Sequence, residues 1–292
     1  MRMVIYNPKD WFKLIFAFHK SDTFRMLIPA LFTIAIVCFG IVYIEIEVWH
    51  MKYKSTIAMH SLLGFVISLL LVFRTNTAYD RWWEGRKMWG AFVNHSRSLA
   101  TKIEVAVDTS MKTERAKMNA LLCNYFIAAK DHLRGVRSSK EWKIVSGLDN
   151  ESIVQADHVP NRIIVELSRE IESLRKAGQI SEMQWHSMQD ELRMYSESLG
   201  ACERIRLTPI PYSYSLFIKK IIFLYTLTMP FGFVTDFGYW TILVTTFIFY
   251  AFASLELIAE EIEDPFGNDA NDLPTDELAG KIGKQIDEIL KV

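Results

Sequence analysis

The chain has 292 residues, half of them apolar and 13% aromatic, with a formal net charge of −1. So even a balance supplies no basic face and argues against a nucleic-acid partner. Cys38, Cys123 and Cys202 lie far apart with no CxxC spacing, and no two of the seven histidines stand at metal-ligand spacing, so neither a disulfide framework nor a zinc site is signalled.

The amino-terminal segment, residues 1–25, carries Arg2, Lys9, Lys13, Lys20 and Arg25 and no cleavable-looking signal peptide. Residues 26–44 (MLIPALFTIAIVCFGIVYI) and 55–73 (STIAMHSLLGFVISLLLVF) then run without a charge. Each reaches the length of about 18 apolar residues that marks a membrane-spanning helix. The stretch 237–255 (FGYWTILVTTFIFYAFASL) does the same. The run 221–235 is short alone, but YSYSLF extends it upstream, and Lys219 and Lys220 are close enough to its end to snorkel. Four spans are predicted, in two membrane segments, 26–73 and 211–258. The basic residues crowd the first 25 positions and the exit of the second span (Arg74, Arg81, Arg86, Lys87), whereas the 45–54 loop has only Lys52 and Lys54. The positive-inside rule therefore puts both termini and the long 74–210 segment in the cytoplasm.

That segment reads as helices. Trp82, Trp89, Phe92, Leu99 and Ile103 recur at helical spacing within 78–107, and Met118, Leu121, Leu122, Tyr125 and Phe126 make one apolar face of 112–134. After a polar loop at 138–159, Pro160 opens another helix, Gly178 ends it, and Ser181-Glu-Met-Gln184 has the form of a capping box for the next. No strand-like alternation persists, so the fold class is all-α, part membrane and part cytosolic.

Catalytic signatures are missing: there is no GxSxG, HExxH, P-loop or dinucleotide glycine fingerprint. The chain is therefore read as a non-enzyme with no required cofactor. His60, the one histidine within a span, reads as a helix–helix hydrogen-bonding group. On the second span Leu62, Val66 and Leu70 recur every four residues and form one stripe, which is either a packing face or, in a ring of subunits, a narrow apolar constriction that gates by dewetting. In Thr208-Pro-Ile-Pro211 two prolines exclude a helix interior, so Ile210 is held out on a kink, as a core plug or a pore ring. The acidic segment 259–292 breaks at Asp264-Pro-Phe-Gly267 and then offers Asn268, Asp269, Asn271 and Asp272, which suit either a hard cation or a solvated turn.

FRTNTAYDRWWEGRKMWG (73–90), TPIPYSYSLF (208–217) and EEIEDPFGNDANDLP, in that order along the chain, resemble the bestrophin family in its bacterial branch. The resemblance implies a homopentameric channel around one pore, with a hydrophobic neck at Leu62, Val66 and Leu70 and a cytosolic aperture at Ile210. It also aligns Asp269 and Asp272 with the carboxylates of a calcium clasp, although Asn268, Ala270 and Asn271 interrupt the acidic run, and the alternative is a turn that docks the carboxyl end on a neighbouring subunit. The leading expectation is a passive channel for small inorganic ions in the inner membrane. Family habit favours chloride, while Glu45 and Glu47 at the outer side would suit sodium or other cations if they face the pore. The competing expectation is a membrane-anchored interaction scaffold without conductance, with an exposed apolar face on 112–134 or 160–200.

Overall fold

A computed structural model describes residues 22–50, 57–145 and 147–291. The amino-terminal segment as far as residue 21, and Lys52 and Lys54, lie outside the described residues. All regular structure among the described residues is helical. Helix α1 spans Asp22–Tyr43 and continues into a π-helical turn, Ile44–Val48, while α2 runs unbroken from Ile57 to Ala106. Then come α3 (Lys112–Arg134), the short α4 (Asn150–Val154), α5 (Val159–Lys176), α6 (Glu182–Leu207), α7 (Tyr212–Phe237), α8 (Trp240–Glu263) and α9 (Thr275–Leu290). Contacts divide the chain into two compact units, with boundaries at Arg81/Trp82, Thr208/Pro209 and Glu263/Asp264.

One unit holds α1, the first half of α2, α7 and α8. Four helical stretches are long and apolar enough to cross a membrane, Thr23–Val48, Ile57–Ala106, Tyr212–Phe237 and Trp240–Glu263. The third starts at Tyr212, directly after Pro211, and so absorbs YSYSLF and both lysines into one helix rather than leaving a short run. Lys219 is held at 2.8 Å by both carboxylate oxygens of Glu260. The fourth helix continues past 258 to Glu263, because two of its acids, Glu256 and Glu263, face the buried Arg74. Helix α8 packs on α1 and α7. Ile67 and Leu71 of α2 meet Ile218, Ile222, Tyr225 and Met229 of α7. The two helices approach so closely that a Cβ on Gly64 would lie 2.7 Å from the Tyr225 hydroxyl, which donates to the His60 carbonyl at 3.1 Å. The buried His60 ring packs between Tyr225 and Phe233. Cys38 is a buried small side chain beside Val42 and Val234.

The other unit is built on α3, whose side chains are buried nearly all round, with α5, α6 and α9 packed against it. A cluster of Trp89, Phe92, Tyr125, Phe126 and Tyr195 joins the second half of α2 to α3 and α6 through edge-on and stacked rings, and the Tyr125 hydroxyl donates to the Tyr195 carbonyl at 3.1 Å. The helix ends follow the sequence chemistry. Gly135, at φ 73°, closes α3 in the left-handed conformation that only glycine adopts without strain. Pro160 sits in the first turn of α5, and the Ser181–Gln184 capping box is complete, with Ser181 N–H donating to Gln184 Oε1 at 2.8 Å.

Candidate functional site

Helix α2 has two faces in the membrane unit. His60, Ile67, Leu71, Arg74 and Ala78 are buried against the other helices, and Leu62, Phe65, Val66, Leu69, Val72 and Phe73 stand on the exposed side. Leu62 is 66% exposed and Val66 41%. Leu70 is half-buried, and its carbonyl accepts a long hydrogen bond, 3.4 Å, from the Tyr214 hydroxyl. The difference follows from helical pitch: each step of four residues turns about 40° past a full revolution, so a stripe read at that spacing slides around the helix. The exposed face itself carries no charge between Ile57 and Phe73.

Arg74, only 1% exposed, closes the apolar stretch on the buried side. Its Nη2 lies 2.7 Å from Glu263 Oε2 and its Nε 3.6 Å from Glu256 Oε2. Glu263 is the centre of this group. Its Oε1 also accepts the Ile210 backbone N–H at 2.6 Å, and its backbone carbonyl accepts from Arg81 Nε at 3.1 Å. The buried glutamate thus pins the proline kink beside α2. Ile210 itself is half-buried between the exposed Pro209 and Pro211 and belongs to none of the buried apolar clusters. The sequence named Ile210 but gave no sign of Glu263, which looks like any other member of an acidic run.

The acidic segment folds on itself. Asp269 N–H donates to Asp272 Oδ2 at 2.6 Å, Asp272 N–H returns to the Asp269 carbonyl at 3.2 Å, and Leu273 N–H reaches the Pro265 carbonyl at 2.9 Å. Trp82 Nε1 donates to the Asn271 carbonyl at 2.9 Å. Gly267 is required here, since a Cβ would lie 2.8 Å from Asp272 Oδ2. Phe266 is buried against Gly85, and Arg134 grips Asp276 bidentately at 2.8 and 2.9 Å while also bonding Thr275. The guanidinium holds the Asp276 carboxyl well down, at about 2. Asp269 is exposed and Asp272 buried. Calcium takes six to eight oxygens. Between Gly267 and Leu273 the turn offers two carboxylates, one already engaged by a backbone N–H, and the carbonyls of Pro265, Asp269 and Asn271 already accept hydrogen bonds. Such a donor set fits a self-tied turn better than a calcium cradle.

Three further sequence readings change. Glu45 is buried within the subunit and Glu47 accepts a hydrogen bond from the Tyr239 hydroxyl at 2.9 Å, so of these two acids only Glu47 is exposed. The apolar face of 112–134 is inside the core, which removes that surface as a docking face for a scaffold. The histidines, apparently scattered, include two that the fold brings together: the rings of His132 and His158 lie 4.4 Å apart because the end of α3 packs against the start of α5. Burial raises the Cys123 thiol to about 11 and the Cys202 thiol to about 12, so both stay protonated and unreactive at neutral pH.

These elements define an all-helical membrane protein with several long apolar helices whose exposed side chains are largely uncharged. The model of the family described as Bacterial/Fungal Bestrophin protein matches residues 3–288, and the chain belongs to that family. It is 34% identical over 287 residues to a voltage-dependent anion channel-forming protein of Nostoc sp., covering 96% of this chain and 92% of the relative. A protein of the same description from Escherichia coli K12 is 32% identical over 290 residues, covering 96% of this chain and 91% of the relative. A crystal structure of a bacterial bestrophin homolog from Klebsiella pneumoniae superposes with a TM-score of 0.82 at 29% identity, over 91% of this chain and 98% of that one.

Proposed function

We propose that the protein is a passive, anion-conducting channel assembled as a ring of five copies in the inner membrane, with both termini cytoplasmic. The observation that carries this reading is the exposed, uncharged face of α2 on a subunit whose opposite α2 face is fully packed. One helix cannot enclose an aqueous path, so this face of α2 would line a pore only with copies of itself across an axis. In that ring Leu62, Val66 and Leu70 would form a hydrophobic neck, where an ion must shed part of its water and a narrow tube tends to empty. Ile210, held by Glu263, would form the cytosolic aperture.

Anions are preferred over sodium on two grounds. Relatives at 34% and 32% identity are named as anion channel-forming, and Glu45, which would suit cations, is buried within the subunit. The Asp269–Asp272 turn is read as a docking element rather than a calcium sensor, because its hydrogen bonds close on itself.

Purified protein in a planar bilayer under a KCl gradient tests the reading: the reversal potential should lie near the chloride equilibrium potential and be indifferent to calcium or chelator. No conductance, or a reversal potential at the potassium value, would overturn it. Calcium dependence abolished by Asp269→Ala with Asp272→Ala would restore the sensor reading of the turn.

A further inference from the structure

Three side chains far apart in sequence meet in the cytosolic unit. His132 lies in the last turn of α3, His158 is the N-cap of α5, and Glu203 is near the carboxyl end of α6. The Nε2 atoms of both histidines lie 2.7 Å from the same carboxylate oxygen, Glu203 Oε1. All three ligand atoms fall within 4.8 Å of one another, and each side chain is half-buried.

We propose that His132, His158 and Glu203 form a binding site for a divalent transition-metal ion of the zinc class. Two imidazole nitrogens and one carboxylate oxygen are a borderline donor set that favours such ions over magnesium or calcium, which prefer all-oxygen shells. At zinc–ligand distances of about 2.0–2.2 Å, tetrahedral geometry separates neighbouring ligands by about 3.3 Å. The 2.7 Å contacts therefore need to open by only a fraction of an ångström, which side-chain torsions supply. Three protein ligands leave a fourth position for water, and His132 borders an open cavity lined also by Asp131, Asp157, Trp142 and Arg206.

The charges around the site are mixed. Asp131 and Asp157 favour a cation, while Arg206, whose Nη1 donates to the His132 carbonyl at 2.8 Å, opposes it. At 2.7 Å from a carboxylate oxygen the His132 Nε2 carries the ring proton, so an ion bound at that nitrogen requires the proton to move to Nδ1. His158 needs the same proton shift and gives up a helix cap as well. Its Nδ1 accepts the Asn161 N–H at 3.2 Å, which places its ring proton on Nε2. An ion at Nε2 shifts that proton to Nδ1 and frees the Asn161 N–H, so binding exchanges a helix cap for a coordinate bond. The ion would then tie the ends of three helices together.

The full-length protein, dialysed against chelator and then into chelator-free buffer in detergent, is titrated with zinc chloride and followed by calorimetry and thermal unfolding. One saturable site per subunit is expected, with a melting point that rises with zinc. His158→Asn is the decisive variant, because asparagine caps a helix as well as histidine does and preserves folding. It should melt as the wild type does without zinc and bind zinc about tenfold or more weakly. His132→Gln and Glu203→Gln should weaken binding to the same degree. Calcium at millimolar concentration should not compete. Absence of saturable zinc binding, wild-type affinity in His158→Asn, or equal displacement by calcium would each overturn the assignment.

Discussion

Replacing Glu263 tests whether one buried carboxylate holds both the second helix and the proline kink. Glu263→Ala removes the 2.7 Å partner of Arg74 and the 2.6 Å acceptor of the Ile210 N–H together. Arg74, 1% exposed, would keep only Glu256 at 3.6 Å, beyond hydrogen-bond reach. Removing one partner of a buried pair typically costs about 3–5 kcal/mol, since the remaining charge stays uncompensated. Glu263→Gln keeps a carbonyl acceptor at nearly the same place and should lose less, by about the 1–3 kcal/mol of one orphaned polar group. Melting in detergent, followed by tryptophan fluorescence, gives the stability order wild type, Gln, Ala. Bilayer recordings of the same proteins should show altered conductance in the Ala variant, where the kink has lost its anchor, and little change in the Gln variant. An Ala variant that melts and conducts as the wild type does would refute both the clamp and its link to Ile210.

In the neck, Leu62→Ala with Val66→Ala and Leu70→Ala should leave a folded assembly, because Leu62 and Val66 are exposed within the subunit, and should raise open probability; unchanged single-channel records would contradict the gate. Ile210→Thr should change conductance or selectivity while costing less than the roughly 1–3 kcal/mol that a hydroxyl buried in a core would; a large fall in melting point would mark the side chain as a plug. Gly85→Ala would put a Cβ 3.0 Å from the buried Phe266 ring and should cost about 1–3 kcal/mol, recovered in part by Phe266→Leu in a melting series. Arg134 keeps Asp276 at about 2, so this ion pair stabilises the fold at neutral pH and its contribution is lost as pH falls from the unfolded carboxylate value near 4 towards about 2. Asp276→Asn should flatten that acid limb of the stability curve, and an unchanged acid midpoint would show the pair to be idle.

Periodicity and caps were legible because they are local. The capping box at Ser181, the proline entry of α5 and the apolar faces of the helices outside the long apolar stretches were read from spacing alone and reappear as built. The long apolar helices were legible in number but not in extent. The third seemed short because lysines were counted against it, yet Lys219 is compensated by Glu260 from the neighbouring helix, a partner that no window along the sequence can see. The same blindness hid Glu263 and the His132–His158–Glu203 cluster, whose members meet only after packing. The Leu62–Val66–Leu70 stripe was legible as a pattern, but its drift toward the packed side at Leu70 depends on where α7 sits.

The Arg74 group also bears on how the chain is made. Arg74 leaves the ribosome about 180 residues before Glu256 and Glu263, and at about 5–20 residues per second that gap lasts roughly 10–40 s. Throughout it the first two helices must wait with a guanidinium whose eventual counter-charges do not yet exist, while residues 82–208 of the other unit are synthesised. An insertion factor that shelters that half-built membrane pair, or a guanidinium extended to the headgroups from the end of its span, must serve until α8 arrives. Synthesis arrested before α8 should therefore yield a product that is extracted and degraded, whereas α7 and α8 supplied in trans should rescue it.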